Sequence, residues 1–194
     1  MLTRDFLRKF NIQSSSDILR ESYQRSRTFS ATSIRSGAGT TVFISHKHED
    51  LDEIKGLVTC LEGYYNVIPY IDSMDKRMPQ VTCRETAERI KTVINYSEKF
   101  ILLATNKALS SKWCNWEVGI ADKSKYQNKN MAILPLLDSV HAIYYGNEYL
   151  ELYPYIEEGI GPQDKRTLLV KYKTEKGIKT KTLFQWLHSP SNFE

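Results

Sequence analysis

The chain has 194 residues, 41% of them hydrophobic and 26% charged, which suits one globular domain with an appendage. No apolar run approaches the roughly 18–20 residues that a membrane-spanning helix needs, and no apolar stretch of a secretory signal follows Met1-Leu2-Thr3-Arg4-Asp5. The three cysteines, Cys60, Cys83 and Cys114, are far apart and share no metal-ligand spacing, a pattern of reduced thiols in the cytoplasm.

The net charge of +4 resides in residues 1–40, where seven basic residues face Asp5, Asp17 and Glu21. A basic arm on a neutral body can touch nucleic acid or a membrane surface. This one lacks the dense Lys/Arg blocks and interleaved aromatics of a nucleic-acid binder, so neither partner is expected. Within residues 1–39, Phe6 and Phe10 stand four apart, and Ser14-Ser15-Ser16-Asp17 can cap a short helix carrying Ile18, Leu19 and Tyr23. Residues 26–39 are rich in Ser, Thr, Arg and Gly and read as a linker.

An ordered domain is expected over 40–188, with a short tail at 189–194. Residues 41–45 (Thr-Val-Phe-Ile-Ser) form a first strand. A helix over 46–64 presents Leu51, Ile54, Leu57, Val58 and Leu61 at helical spacing, with Glu49, Asp50 and Asp52 at the end where the helix dipole favours acids. Residues 66–71 form a second strand ending at Asp72, and Pro69 suits an edge position. A polar loop over 73–82 leads to a helix over 84–95. Residues 99–105 and 131–137 are near-continuous apolar strands of the kind buried on both faces. Between them, Ser110 and Ser111 cap an amphipathic helix that opens with Trp113, Cys114, Trp116 and Glu117. Residues 139–166 are irregular and hold five tyrosines; 167–172 read as a last strand and 180–188 as a last helix.

This alternation predicts an α/β, flavodoxin-like fold: a five-stranded parallel sheet of order 2-1-3-4-5 with helices on both faces, plus the N-terminal arm. Ligands bind such sheets beyond the carboxyl ends of the strands, where the strand order reverses. That rule brings Ser45, Lys47, Trp113 and Glu117 to one crevice. Spacing alone leaves Glu117 open between a partly exposed acid on a core helix and a group set into a cleft. Trp116 reads as packing. Cys114 has no base fixed beside it in sequence. His46, His48, Glu49 and Asp50 read as solvated helix-entry residues rather than a metal site, because no further ligand set accompanies them. The absence of a G-x-G-x-x-G motif argues against a dehydrogenase that keeps its dinucleotide intact.

Val42-Phe43-Ile44-Ser45, the loop after Asp72 and Trp113-Cys114-x-x-Glu117 together resemble a TIR domain over about residues 40 to 188, and Ser45-His46-x-x-Glu49-Asp50 is most like the bacterial members. The resemblance implies one of two activities, assembly with other TIR subunits or cleavage of NAD⁺. In the enzymatic group the glutamate corresponding to Glu117 is catalytic and NAD⁺ is the substrate, with no cofactor or metal. The products are nicotinamide and ADP-ribose or a cyclic isomer, sensed by a separate effector in anti-phage defence of the Thoeris type. On this basis Trp113 is expected against the ribose or nicotinamide, Phe43 and Ser45 along the nicotinamide side, Asp72 among the substrate-binding residues, and Lys47, Lys76 and Arg77 near the phosphates. Tyr144, Tyr145 and Tyr149 are expected to hold the adenine end folded back. A neighbouring subunit is expected to dock through the 73–83 loop. The alternatives are a non-enzymatic TIR adaptor and a nucleoside deoxyribosyltransferase-like enzyme with a nucleophilic glutamate.

Overall fold

The structure is a computed structural model and describes residues 1–11, 39–75, 83–137, 139, 141, 143 and 146–189. Its first two elements, Leu2–Thr3 (β1) and Arg4–Asn11 (α1), are built into the domain. Leu2 and Leu7 are buried in one apolar cluster with Val42, Ile54, Leu134 and Trp186. Phe10 meets Phe6 edge-on at 5.5 Å and Tyr64 at 5.6 Å. Residues 1–11 therefore do not form the separate arm read from the sequence: their apolar face covers the core. The expected capped helix near Ser14 and the linker lie outside the described residues.

Thr41–Ser45 (β2) is buried at all five positions and leads into Leu51–Tyr65 (α2). The chain then runs through Ile68–Tyr70 (β3), Arg84–Tyr96 (α3), Lys99–Ala104 (β4), Asn106–Leu109 (α4), Lys112–Lys125 (α5) and Met131–Leu137 (β5). These strands lie in the order β3-β2-β4-β5, all parallel, with Phe43 opposite both Tyr70 and Phe100, and Ile101 opposite Ala132. The expected order holds here, and the strand containing Pro69 is at the edge, where a missing backbone N–H costs no ladder bond. One face of the sheet packs under α1 and α2, the other under α3 and α5, whose Ile90, Ile94, Cys114, Val118 and Ala121 share a second cluster.

Beyond residue 137 the sheet departs from the expectation of five parallel strands. Its fifth position is Tyr155–Ile160 (β6), inside the Tyr-rich stretch, joined to β5 in parallel through Ile133 and Tyr155. Arg166–Thr174 (β7) and Gly177–Thr182 (β8) follow as antiparallel strands, so the predicted last strand does not lie next to β5. The last helix starts later than expected, at Leu183–His188 (α6), because β8 occupies residues up to Thr182. Thr182 and Gln185 form a reciprocal capping box there. Beyond the single β5–β6 pairing at Ile133, β1 pairs Leu2 with Leu136, and the sheet has eight strands among the described residues.

Candidate active site

Side chains alternate along β2, so Phe43 and Ser45 face α5 while Val42 and Ile44 face α2. The end of β4 is tightly turned. Thr105 caps α4 by accepting the Ala108 N–H at 3.0 Å, and Ser111 caps α5 by accepting that of Cys114 at 3.4 Å. Glu117 thereby points back at the end of β2, and the Ser45 hydroxyl donates to its Oε2 at 2.5 Å across 72 residues of sequence. Glu117 is 2% exposed. Burial first and the charge of Asp72 second hold its pKa well above the usual carboxylate range, against hydrogen bonds from Ser45 and Trp113.

Asp72 opens a short turn, Asp72–Met74, that closes on the same spot. The buried His46 ring faces it, with Nε2 at 2.9 Å from Ser73 Oγ and Nδ1 at 3.7 Å from Asp72 Oδ1. Burial pushes the imidazole below its ordinary pKa. A neutral ring with Nδ1–H donating to the Ile44 carbonyl at 3.3 Å leaves Nε2 to accept from Ser73. Cys114 donates to the His46 carbonyl at 3.3 Å, tying α5 to β2. Burial raises its thiol to about 11, so it stays protonated and unreactive near neutral pH.

Two carboxylates, a serine, a neutral histidine and an indole thus meet at the strand-order reversal. Residues 42–159 match the family model of the TIR domain. The chain belongs to the TIR domain family. It is also 34% identical over 122 residues to the probable 3′ cyclic ADP-D-ribose synthase ThsB′ of Bacillus cereus (strain MSX-D12), covering 61% of this chain and 61% of that protein. The TIR match runs from β2 into β6 and excludes β1 and α1.

Of the residues expected around the substrate, the TIR fold brings Ser45, Asp72, Trp113 and Glu117 together. Phe43 is fully buried, its ring stacked between Tyr70 at 5.6 Å and Phe100 at 5.7 Å, and supports the site from behind. Lys47 is half-exposed at the rim, 3.9 Å from Glu49. Lys76, Arg77, Tyr144 and Tyr145 lie outside the described residues. Trp116 is 37% exposed and tilts against Trp113 at 4.9 Å, so it is a surface ring and not core packing. Tyr149 donates to Asn115 Oδ1 at 2.5 Å and Tyr153 to Asp122 Oδ1 at 3.0 Å, fastening the Tyr-rich stretch along α5.

The reading of His46 and Asp50 as solvated fails. Asp50 is fully buried, because Arg4 of α1 pairs with it at 3.0 Å and Thr105 donates to it at 2.7 Å. His46 is covered by the 72–74 turn. Its position directly after the serine of the first strand was the available signal, but a histidine there reads the same whether covered or not. Among the described residues, no group of three or more His, Cys, Asp or Glu could hold a metal ion, and no helix is long and apolar enough to cross a membrane.

Proposed function

We propose that this TIR protein is an NAD⁺ nucleosidase that breaks the bond between nicotinamide and ribose and gives ADP-ribose or a cyclic isomer of it. The observation that carries the reading is Glu117, sealed at the switch point with Ser45 donating to it. Cleavage builds positive charge on the sugar, as in glycoside hydrolysis. A fixed carboxylate in a water-poor site stabilises that charge more than it stabilises the ground state. The resting carboxyl favours its proton, and the cationic nicotinamide ring of the substrate favours the charged form that the chemistry needs. NAD⁺ is consumed here as a substrate, and no cofactor takes part.

Similarity to the Bacillus relative, a probable 3′ cyclic ADP-D-ribose synthase, supports the cyclising outcome. The further steps belong to the same proposal: the product is a signal in anti-phage defence, read by a separate effector in the cytoplasm, and TIR–TIR association completes the site. Incubation of the purified chain with NAD⁺, followed by chromatography of nicotinamide and the ribosyl products, tests it. Glu117→Gln should lower turnover by about a hundredfold or more, the scale of losing one preorganised electrostatic group. Specific activity should rise with protein concentration if subunits complete one another's sites. A wild-type chain that releases no nicotinamide from nanomolar to high micromolar protein would leave the adaptor reading in its place.

A further inference from the structure

We propose that Asp72 is the proton acceptor of the second half of the reaction, the group that deprotonates the hydroxyl which captures the sugar cation. The inference rests on the nucleosidase reading. It assigns the two carboxylates of the site separate tasks.

The two halves differ in their proton balance. When the C–N bond breaks, its electron pair leaves with the ring, so nicotinamide departs as a neutral molecule and no proton moves. Capture is different. An oxygen lone pair of water, or of a ribose hydroxyl, forms the new C–O bond, and the O–H proton must pass to a base before the product is neutral. A base within hydrogen-bond reach accelerates such a step.

Among the described residues, Asp50, Asp75 and Glu117 near the strand ends are engaged. Asp50 is fully buried between Arg4 and Thr105. Asp75 is buried and accepts from the Tyr70 hydroxyl at 2.9 Å and from Arg89 at 2.9 and 3.1 Å. Glu117 is closed off beneath Ser45, well placed as a fixed charge but poorly placed to return a proton to water. The Asp72 side chain is 24% exposed and near enough for its charge to act on Glu117. It can take a proton at the site and release it to solvent. Carboxylates whose surroundings differ in this way divide acid–base roles in other enzymes.

The turn that carries Asp72 is held at both ends. His46, its side chain 1% exposed, sits directly after Ser45 and binds Ser73. The Asp75 N–H donates to the Asp72 carbonyl at 3.0 Å, and Asp75 is itself fixed by Arg89 and Tyr70. His46 and Ser73 are therefore positioning residues for Asp72, and neither needs to touch the substrate.

Base exchange separates this role from a structural one. A pyridine nitrogen captures the same cation without losing a proton, so its reaction needs no acceptor. With NAD⁺ and 3-acetylpyridine supplied together, the ratio of exchanged dinucleotide to ADP-ribose plus cyclic product measures the acceptor alone. Asp72→Asn should raise that ratio roughly tenfold or more, at or below the low end of what a positioned base contributes. Ser73→Ala, which cuts the tether to His46 without touching a charge, should raise it by a smaller factor. Glu117→Gln should slow both routes and leave the ratio unchanged. An Asp72→Asn enzyme that loses both routes in equal proportion overturns the proposal. If that variant does not fold, an unmoved ratio in Ser73→Ala overturns it. A wild-type chain that yields neither nicotinamide nor exchanged dinucleotide overturns the nucleosidase reading, and this inference with it.

Discussion

Glu53 and Glu117 are equally buried, at 2% exposure each, and their surroundings are opposite. Glu53 lies on α2 beneath the N-terminal helix. Arg4 reaches its Oε2 at 2.9 Å and also pairs with Asp50, while Arg8 lies 2.9 Å from Oε1 in a charge contact that makes no hydrogen bond. Glu117 has no such cation among the described residues. It is met by a hydroxyl and an indole, and the nearest charge acting on it is another carboxylate. A buried acid beside arginines is a structural pair, strongly missed when one member is removed. A buried acid beside another acid is costly to ionise, and such strain collects where chemistry is done. The pairing of the two glutamates, not their burial, separates scaffold from site.

The comparison breaks most easily at Arg4. Arg4→Met should cost about 3–5 kcal/mol in urea unfolding, because it removes the cation that pairs with both Asp50 and Glu53 and leaves Glu53 only its contact with Arg8. Adding Asp50→Asn and Glu53→Gln to Arg4→Met should restore part of that loss, since no lone buried charge then remains. A loss under about 1 kcal/mol would place these ion pairs in the class of exposed surface pairs. It would also remove the argument that residues 1–11 are integral to the domain.

The α2 acids show why the sequence reveals one part of this molecule and conceals another. Strands buried on both faces announce themselves as apolar runs, so β2, β4 and β5 were legible from Val42, Phe100 to Leu103 and Met131 to Leu137. Of the β6–β8 ribbon only β7 was legible, as the strand read over 167–172; β6 and β8 were not. Glu157, Glu158, Lys171 and Lys173 interrupt its apolar pattern, and β8 is exposed along Gly177 to Thr180. The juxtaposition of Ser45, Trp113 and Glu117 in the candidate site was legible where topology determines it, at the order reversal, whereas Lys47 pairs with Glu49 at the surface. The partners that come from distant segments were not. Arg4 and Asp50 are 46 residues apart, and nothing local in His46 announces the turn that covers it.

A second test moves the other glutamate. For Glu117 the folded-state pKa is raised above its ordinary value of 4.5, so the protonated form is the one the fold favours. Its contribution to stability is complete below about pH 4.5 and is lost as pH rises through the raised folded value. Glu117→Gln does not titrate. The variant should therefore gain on the wild type as pH rises above 4.5, by up to about 1.4 kcal/mol per pH unit within that window. Urea midpoints from pH 4 to 8 measure the gap. The same substitution that lowers turnover should thus make the protein harder to unfold at neutral pH, as expected of a group kept for function at a cost in stability. A gap that stays constant with pH would mean that burial and Asp72 do not raise the Glu117 pKa in the folded protein.

The smallest expected effect lies between the two regions, where the Tyr-rich stretch meets α5. The Tyr149 hydroxyl donates to Asn115 Oδ1, two residues before Glu117, and the Asn115 amide in turn donates to the Leu109 carbonyl at 3.0 Å. Tyr149→Phe keeps the ring and removes only the donor. Because Tyr149 is exposed, the loss in stability should fall near the low end of the roughly 0.5–1.5 kcal/mol that a hydrogen bond contributes. If the stretch merely covers α5, that is the whole consequence, and the ratio of cyclic to linear product stays put. If it steers the adenosine end of NAD⁺ toward the captured cation, a shift of ~0.5 kcal/mol between competing captures changes the ratio about twofold. We expect the cyclic share to fall, because a tyrosine released from α5 no longer holds one edge of the site at a fixed distance from Glu117. Chromatographic product ratios at matched turnover resolve a twofold change. An unaltered ratio in Tyr149→Phe, with the small stability loss present, would assign the tyrosines to the scaffold alongside Glu53.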